Sequence, residues 1–194
     1  RVIFQLKPKT VHFQHEFFLY GGIFSALLFP LLILLNRLAG IRVIVTMHGV
    51  VPRSETNNQF AKAFFVTSNR FILKAGLATI TSLICRISNC VIVHNEYLKN
   101  ILIHDFNVPN SKIQVIRHGI GENPLNNQLH IEPIKNVLFF GNITPSKGLE
   151  VLLKAFEHVK IPDVTLTISG SAHPRGKEYF DKIHRLIERS PASS

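Results

Sequence analysis

The segment Val137–Leu152 contains the residue pattern with the clearest chemical meaning in this sequence. An apolar run ends at Gly141, a short polar loop follows, and Lys147 and Gly148 precede apolar residues at helical spacing, which predicts a strand, a turn and a helix. The first N–H groups of a helix lack intrahelical partners and favour phosphate, and Lys147 adds a full positive charge. The pattern therefore predicts phosphate binding. The alternative is an ordinary strand-to-helix turn with a solvated lysine.

The composition narrows the class of protein. Cys85 and Cys90 are too close together to frame a disulfide scaffold, and no Cys/His zinc spacing occurs, so a reducing, intracellular setting is expected.

The positive charge of the sequence is concentrated in its first part. Residues 1–121 hold 13 Lys/Arg against 4 Asp/Glu, a net charge of +9, whereas residues 122–194 hold 9 against 8, a net charge of +1. This asymmetry predicts an anionic partner. Aromatic residues do not alternate with the cations as in single-strand binders, so an anionic membrane surface is favoured and nucleic acid is not.

Strands and helices alternate along the chain, which predicts an α/β fold with parallel sheets and crossover helices. The polar segment 122–133 is interpreted as a linker between a first domain, residues 1–121, and a second, residues 134–194. Predicted strands are Arg1–Leu6, Thr10–His15, Ile41–Met47, Cys90–His94, Lys112–Arg117, Lys135–Phe140 and Val164–Ser169. Predicted helices are Phe60–Ile87 in two pieces, one from Glu96 capped by Asn95, Leu149–Val159 and Lys177–Ile187.

The segment Phe17–Leu35 is almost wholly apolar and approaches the roughly 20 residues that a bilayer span requires. Predicted strands on both sides favour a helix that is buried or lies at an interface, because a span would separate those strands. A membrane-spanning helix is the alternative.

Four stretches, in order, resemble glycosyltransferase family 4 enzymes of the GT-B fold. They are VHFQHE at 11–16, VIVTMHG at 43–49, the run 88–120, and VLFFGNITPSKGLEVLLKAF at 137–156 with LTISG at 166–170. The resemblance implies two Rossmann-like domains facing across a cleft, both incomplete in this sequence. It also implies a nucleotide-sugar donor on the second domain, an acceptor on the first, retention of anomeric configuration, and no metal or other cofactor.

The resemblance assigns roles to individual residues. Lys147 matches the family lysine that neutralises the donor diphosphate, on which charge builds as the glycosidic bond breaks. Gly141 matches the glycine that lets the backbone approach the phosphates, and Gly170 ends the next strand. Asn142 stands in the donor loop where the family often has Arg.

On the acceptor side, His48 matches the T-x-H-G histidine near the reacting sugar, and the alternative is a structural hydrogen bond to a loop carbonyl. His15 and Glu16 are expected to face the acceptor, or else to form a surface turn. His118 and Gly119 resemble a family turn that shapes the hinge.

Departures from the family pattern leave a second function open. The donor loop has no Arg, and the family's later glutamates and glycine-rich acceptor loop are not in the sequence, so we expect a catalytically incomplete fragment. The prediction is a retaining glycosyltransferase, cytoplasmic and peripheral at the membrane, acting on a glycan or lipid-linked acceptor. The alternative is a non-catalytic GT-B-like binding module or scaffold.

Overall fold

The computed structural model describes residues 2–6, 8–17, 23–64, 66, 69–119, 121 and 135–189. The chain forms two compact units. The first unit comprises Arg1–Asn58 and Ser68–Gly121, and the second comprises Gln59–Thr67 and Glu122–Ser194. The predicted linker lies outside the described residues, and the predicted domain boundaries stay a prediction.

Helices and strands alternate in both parts of the chain. Up to residue 121 the elements are α1 (Val2–Leu6), β1 (Thr10–His15), α2 (Ile23–Leu38), β2 (Arg42–Met47), α3 (Asn58–Ala63), α4 (Arg70–Ile87), β3 (Cys90–Val93), α5 (Glu96–Phe106), a 3₁₀ turn (Asn110–Lys112) and β4 (Ile113–Val115). From residue 135 they are β5 (Asn136–Phe140), a 3₁₀ turn (Pro145–Lys147), α6 (Leu149–Phe156), β6 (Thr165–Ser169) and α7 (Lys177–Glu188).

All paired strands in these elements run parallel. The first sheet has the order β1-β2-β3-β4, and the second pairs β5 with β6. Parallel neighbours need crossover connections, which the intervening helices supply. The predicted α/β class with parallel, Rossmann-like sheets is confirmed. One consequence is that the carboxyl ends of neighbouring strands lie along the same edge of each sheet.

The core of the first unit is built around β2. Its residues Val43, Val45 and Met47 are fully buried, and Thr46 between them is buried too. Burial of successive residues means that both faces of the strand are covered, as expected for a central strand of a parallel sheet. Helix α2 packs on β2 and on α4, where it contributes the buried side chain of Ile33.

The carboxyl end of α4 is held by a lysine from the 3₁₀ turn before β4. The Lys112 ammonium donates to the carbonyls of Cys85 (2.9 Å) and Arg86 (2.8 Å), which satisfies acceptors that have no partner within the helix. Cys85 itself is buried beside Met47. Burial raises the pKa of its thiol to about 12, although the Lys112 charge acts in the opposite direction.

The second unit has a smaller core in its described part. Ile143, Leu149 and Ile183 are buried together, with partly buried residues of β5, β6 and α7 around them. Residues alternate between half-buried and exposed along β5 and β6, so one face of this sheet packs on the core. On the other face, Leu138 and Phe140 are 61% and 79% exposed.

Two of the predicted strands need correction. Arg1–Leu6 is not a strand, because Val2–Leu6 forms α1. The β preference of Val, Ile and Phe expresses packing on a sheet, and this segment pairs with no described strand. The predicted strand Lys112–Arg117 is shorter as β4, because Lys112 belongs to the 3₁₀ turn. The other predicted elements are confirmed within a few residues at their ends.

The predicted apolar segment Phe17–Leu35 overlaps a helix, α2, which runs over Ile23–Leu38, and residues 18–22 lie outside the described residues. No helix among the described residues has the length and apolarity needed to cross a bilayer. The buried side of α2 carries Phe29, Ile33 and Asn36. The opposite side is exposed and carries a stripe of leucines, which we call the α2 leucine face: Leu27, Leu28, Leu31, Leu34, Leu35 and Leu38.

Candidate functional site

Histidines stand at the carboxyl-end edge of the first sheet. His15 is the last residue of β1, His48 directly follows β2, and His94 directly follows β3. His118 lies three residues beyond β4. Because the four strands are parallel and adjacent, their ends bring these side chains to one edge, where open α/β sheets bind ligands.

His15 is buried and surrounded by aromatic rings. Its imidazole stacks on Phe29 with ring centroids 4.9 Å apart and meets the edge of Phe17 at 4.8 Å. Burial, and then the nearby charge of His48 when protonated, lower the pKa of His15 to about 4. His15 is therefore neutral at physiological pH. Its carbonyl accepts a hydrogen bond from the His48 N–H at 3.0 Å, and the next residue, Glu16, is exposed.

His48 is exposed and oriented by its neighbours. Its Nε2 lies 2.8 Å from Gln14 Oε1, and its Nδ1 lies 3.3 Å from His94 Nε2. His94 Nδ1 donates to the carbonyl of Ile116 at 2.9 Å. The hydrogen-bond partner of the His48 side chain is thus the side-chain amide of Gln14 rather than a loop carbonyl, and its role near the reacting sugar stays a prediction.

His118 completes a group of three rings that we call the imidazole cluster (His48, His94 and His118). Its ring stacks on that of His94, with centroids 3.6 Å apart, and on that of His48 at 5.8 Å. One nitrogen from each residue lies within 4.8 Å of the others, and no Asp or Glu belongs to the group. The imidazole cluster therefore offers aromatic nitrogens rather than carboxylates.

In the second unit, two glycines lie where β5 and β6 end. A side chain at Gly170 is impossible without movement, because a Cβ there would lie 1.9 Å from the carbonyl oxygen of Gly141. Gly141 has φ 133°, a conformation that side chains disfavour. The Gly141 N–H donates to the Ser169 carbonyl and the Ile143 N–H donates to the Ser171 carbonyl. The two segments therefore stay paired beyond the ends of β5 and β6.

The turn after β5 leads through the 3₁₀ turn into α6. Gly148, with φ 67°, is both the C-cap of the 3₁₀ turn and the N-cap of α6. Backbone N–H groups of Lys147 and Gly148 donate to Thr144 and Pro145, so these two amides are occupied. The Lys147 side chain is exposed and forms no ion pair or hydrogen bond with the described residues.

The first turn of α6 also carries a carboxylate. Both oxygens of Glu150 are engaged by α7, one by the Tyr179 hydroxyl and one by the Lys182 ammonium at 3.0 Å. Burial, the largest single influence, raises the pKa of Glu150, but the hydrogen bonds from Tyr179 and Lys182 outweigh it and lower the pKa overall. This carboxylate remains ionised near the helix N-terminus and offsets part of its positive potential.

The predicted site residues thus form two groups. His15, Glu16 and His48 lie together at the edge of the first sheet, while Gly141, Asn142, Lys147 and Gly170 follow β5 and β6. Asn142 accepts a long hydrogen bond, 3.5 Å, from the Ser171 hydroxyl. Sequence reasoning missed His94 and Gln14. His94 had a signal, since it directly follows an apolar run as His48 does.

Comparison with known proteins identifies the first part of the chain. The family model described as Glycosyltransferase Family 4 matches residues 1–123, which include the whole first sheet and the imidazole cluster. A search of curated proteins finds no match to this chain. The matched region is more than half of the 194 residues. The chain, with its parallel α/β sheet and histidine-lined edge, therefore belongs to glycosyltransferase family 4 and carries a glycosyltransferase-type domain.

Proposed function

We propose that this protein is a retaining, metal-independent glycosyltransferase that moves a sugar from a nucleotide donor to a glycan or lipid-linked acceptor at a membrane surface. The observation that carries the proposal is family membership together with polar side chains at the carboxyl ends of parallel strands. The donor binds to the turn that contains Lys147, and the acceptor binds at the edge that contains His48.

The geometry of the second unit supports donor binding. Departure of a nucleoside diphosphate builds negative charge on its phosphate oxygens, and a nearby cation stabilises that charge. Lys147 has no partner among the described residues and is available for this role. Gly141 has open space where a Cβ would be, which suits close approach of a pyrophosphate to the backbone, and Gly170 lets the end of β6 lie against the Gly141 carbonyl.

The edge of the first sheet supports acceptor binding. His48 is exposed and held in orientation by Gln14, so its ring is positioned before any ligand arrives. His15 is neutral, and Glu16 is exposed beside it. Hydroxyl-rich acceptors are recognised by such hydrogen-bonding groups at strand ends.

The donor role is tested with Lys147→Ala, and Lys154→Ala is the matched control because it removes the same charge from the far end of α6. Calorimetry measures the binding of UDP, GDP and ADP, and product formation measures sugar transfer by the full-length protein. Loss of one charge-assisted contact to phosphate should weaken diphosphate binding by about 10- to 100-fold and slow transfer by about 10²- to 10³-fold. Unchanged binding and turnover in Lys147→Ala would remove this residue from the site. The anomeric configuration of the product, read by NMR, tests retention.

Membrane association is supported by the α2 leucine face. Six leucines form an exposed stripe on one helix, in the half of the chain that has a net charge of +9. Apolar side chains that insert shallowly, flanked by cations that attract anionic lipids, are the usual elements of interfacial binding. We therefore assign this face to an anionic bilayer surface.

The membrane assignment is tested with Leu31→Glu, and Ile161→Glu in the second unit is the control, since the two residues are 47% and 51% exposed. Wild-type protein should sediment with vesicles containing phosphatidylserine and less with neutral vesicles. High salt should release it, because screening weakens the attraction. Leu31→Glu should lose most of the binding. Equal sedimentation of both variants would contradict the assignment.

A non-catalytic binding module is the second candidate. It is favoured by the absence of Arg from the donor loop and by the Glu150 carboxylate in the first turn of α6. This candidate requires that no nucleoside diphosphate binds and no sugar is transferred. Micromolar binding that depends on Lys147 would argue against it.

A further inference from the structure

We infer that the imidazole cluster is a binding site for a divalent transition-metal cation such as Zn²⁺. The three rings come from the ends of neighbouring strands, and one nitrogen of each lies within 4.8 Å of the others. Imidazole nitrogens suit Zn²⁺, Ni²⁺ and Cu²⁺, whereas Mg²⁺ and Ca²⁺ prefer oxygen ligands. Because the cluster contains no carboxylate, the structure favours the first group of metals.

The hydrogen bonds of His48 and His94 determine which nitrogens are free to bind a cation. A carbonyl oxygen can only accept, so the proton of neutral His94 is on Nδ1, which faces the Ile116 carbonyl. The Gln14 Oε1 atom likewise places the proton of His48 on Nε2. The two unprotonated nitrogens, His94 Nε2 and His48 Nδ1, then lie 3.3 Å apart, and neither has a proton to donate to the other. A metal ion that binds both lone pairs satisfies this arrangement.

The separation of these nitrogens matches metal coordination. With Zn–N bonds of about 2.0–2.1 Å in tetrahedral geometry, two bound nitrogens lie about 3.3 Å apart. The observed distance between His48 Nδ1 and His94 Nε2 is 3.3 Å. His118 is exposed and forms no hydrogen bond with the described residues, so its ring can turn from the stack to become a third ligand. A water molecule would be the fourth ligand of the metal ion.

The surroundings of the cluster fit the same role. Metal-binding histidines usually donate the N–H of their other nitrogen to a carbonyl or carboxylate, which orients the ring and raises its basicity. Ile116 does this for His94, and the Gln14 side-chain carbonyl does it for His48. Two of the three rings are therefore already held as ligands.

Metal binding has a consequence that rests on the proposed function. His48 is the residue that we assign to the acceptor side, and a metal ion bound to its Nδ1 occupies the same edge of the sheet. Zn²⁺ should then inhibit sugar transfer, and a chelator should restore it. The ion acts here as an inhibitor and takes no part in the transfer chemistry.

The binding itself is tested on the protein without a polyhistidine tag, by titration with Co²⁺ followed by visible absorption and by calorimetry with Zn²⁺. The expected result is one equivalent of metal, the absorption of four-coordinate Co²⁺, and its displacement by Zn²⁺. Gln14→Leu should weaken binding by about 10- to 100-fold, and His94→Ala by more. His104→Ala, an exposed histidine of α5 outside the cluster, is the matched control and should bind as wild type does.

Several results would overturn the inference. Absence of one-equivalent binding would show that the imidazole cluster does not hold a metal ion in solution. Equal affinity in wild type, His94→Ala and His118→Ala would place the metal elsewhere. His118→Ala removes an exposed ring, so it serves if His94→Ala does not fold, which circular dichroism checks. These measurements need no sugar transfer, so the inference and the proposed function can fail separately.

Discussion

The edges of the two sheets are built from different chemistry. In the first unit, strand ends present three imidazoles and a buried neutral histidine on a well-covered sheet, and hydrogen bonds to Gln14 and the Ile116 carbonyl orient two of the imidazoles. In the second unit, strand ends present glycines, a solvent-exposed lysine and a carboxylate fixed to the next helix. The first edge suits hydroxyl groups or a soft cation, and the second suits phosphate. The contrast shows how similar parallel sheets come to offer different chemical groups through the residues that follow each strand.

The first unit has buried side chains where the sheet of the second unit has exposed ones, and this difference predicts the largest effects on unfolding free energy. Leu102 on α5 is fully buried, so Leu102→Ala should cost about 2–5 kcal/mol of unfolding free energy through lost contacts and a cavity. Phe140→Ala in the second unit should change it by less than about 0.5 kcal/mol, because the ring is mostly exposed. Urea denaturation followed by circular dichroism gives both values. A large cost for Phe140→Ala would mean that the exposed face of β5 is covered in solution.

The buried histidine of the first unit predicts an acid sensitivity. The folded-state pKa of His15 is about 4 and the ordinary value is 6.5, so the unfolded state binds more protons between these values. The stabilisation is complete above pH 6.5 and is lost as the pH falls towards 4, by roughly 3 kcal/mol in total. His15→Leu should remove this part of the pH dependence. Unfolding free energies at pH 7 and pH 4.5 test it, and equal slopes in both proteins would contradict it.

Gly170 and Gly49 both lie near the end of a strand, and their replacement by Ala predicts a smaller difference in stability between the two units. Gly170→Ala drives a Cβ into the Gly141 carbonyl, so β6 or the β5 turn must shift, at a cost of about 1–3 kcal/mol. Gly49, after His48, has open space around its Cα, and Gly49→Ala should be nearly neutral for stability. Thermal unfolding of the two variants compares them directly. Equal losses would show that the close approach of the strand ends is not a constraint in the second unit.

The fold was more predictable than the site. Strands such as Ile41–Met47 are predictable because a central parallel strand is apolar on both faces, and β2 has that burial. Helix α5 was predictable from its cap, since Asn95 accepts from the Leu98 N–H at 2.8 Å. Helix α1 was not, because its residues are also good strand formers and nothing local distinguishes the two states.

The candidate site residues also differ in how well the sequence predicts them. The glycine turn and Lys147 follow from a contiguous pattern, and the structure has the strand, turn and helix that this pattern predicts. The imidazole cluster joins residues 46 positions apart, His48 and His94, through strand pairing. Ring orientation depends on Gln14 and Ile116, which lie on other strand ends. No local pattern contains that information, so the cluster required the structure.

The buried thiol of Cys85 has a practical consequence. The sequence has two cysteines, and Cys90 at the start of β3 is only half-buried. A maleimide at neutral pH should modify Cys90 first, since the thiolate of Cys85 is scarce and covered by protein. Cys85 should react only when α4 separates from the sheet. The rate of this slow labelling of Cys85 would then report how often the first unit opens, and no engineered probe is needed.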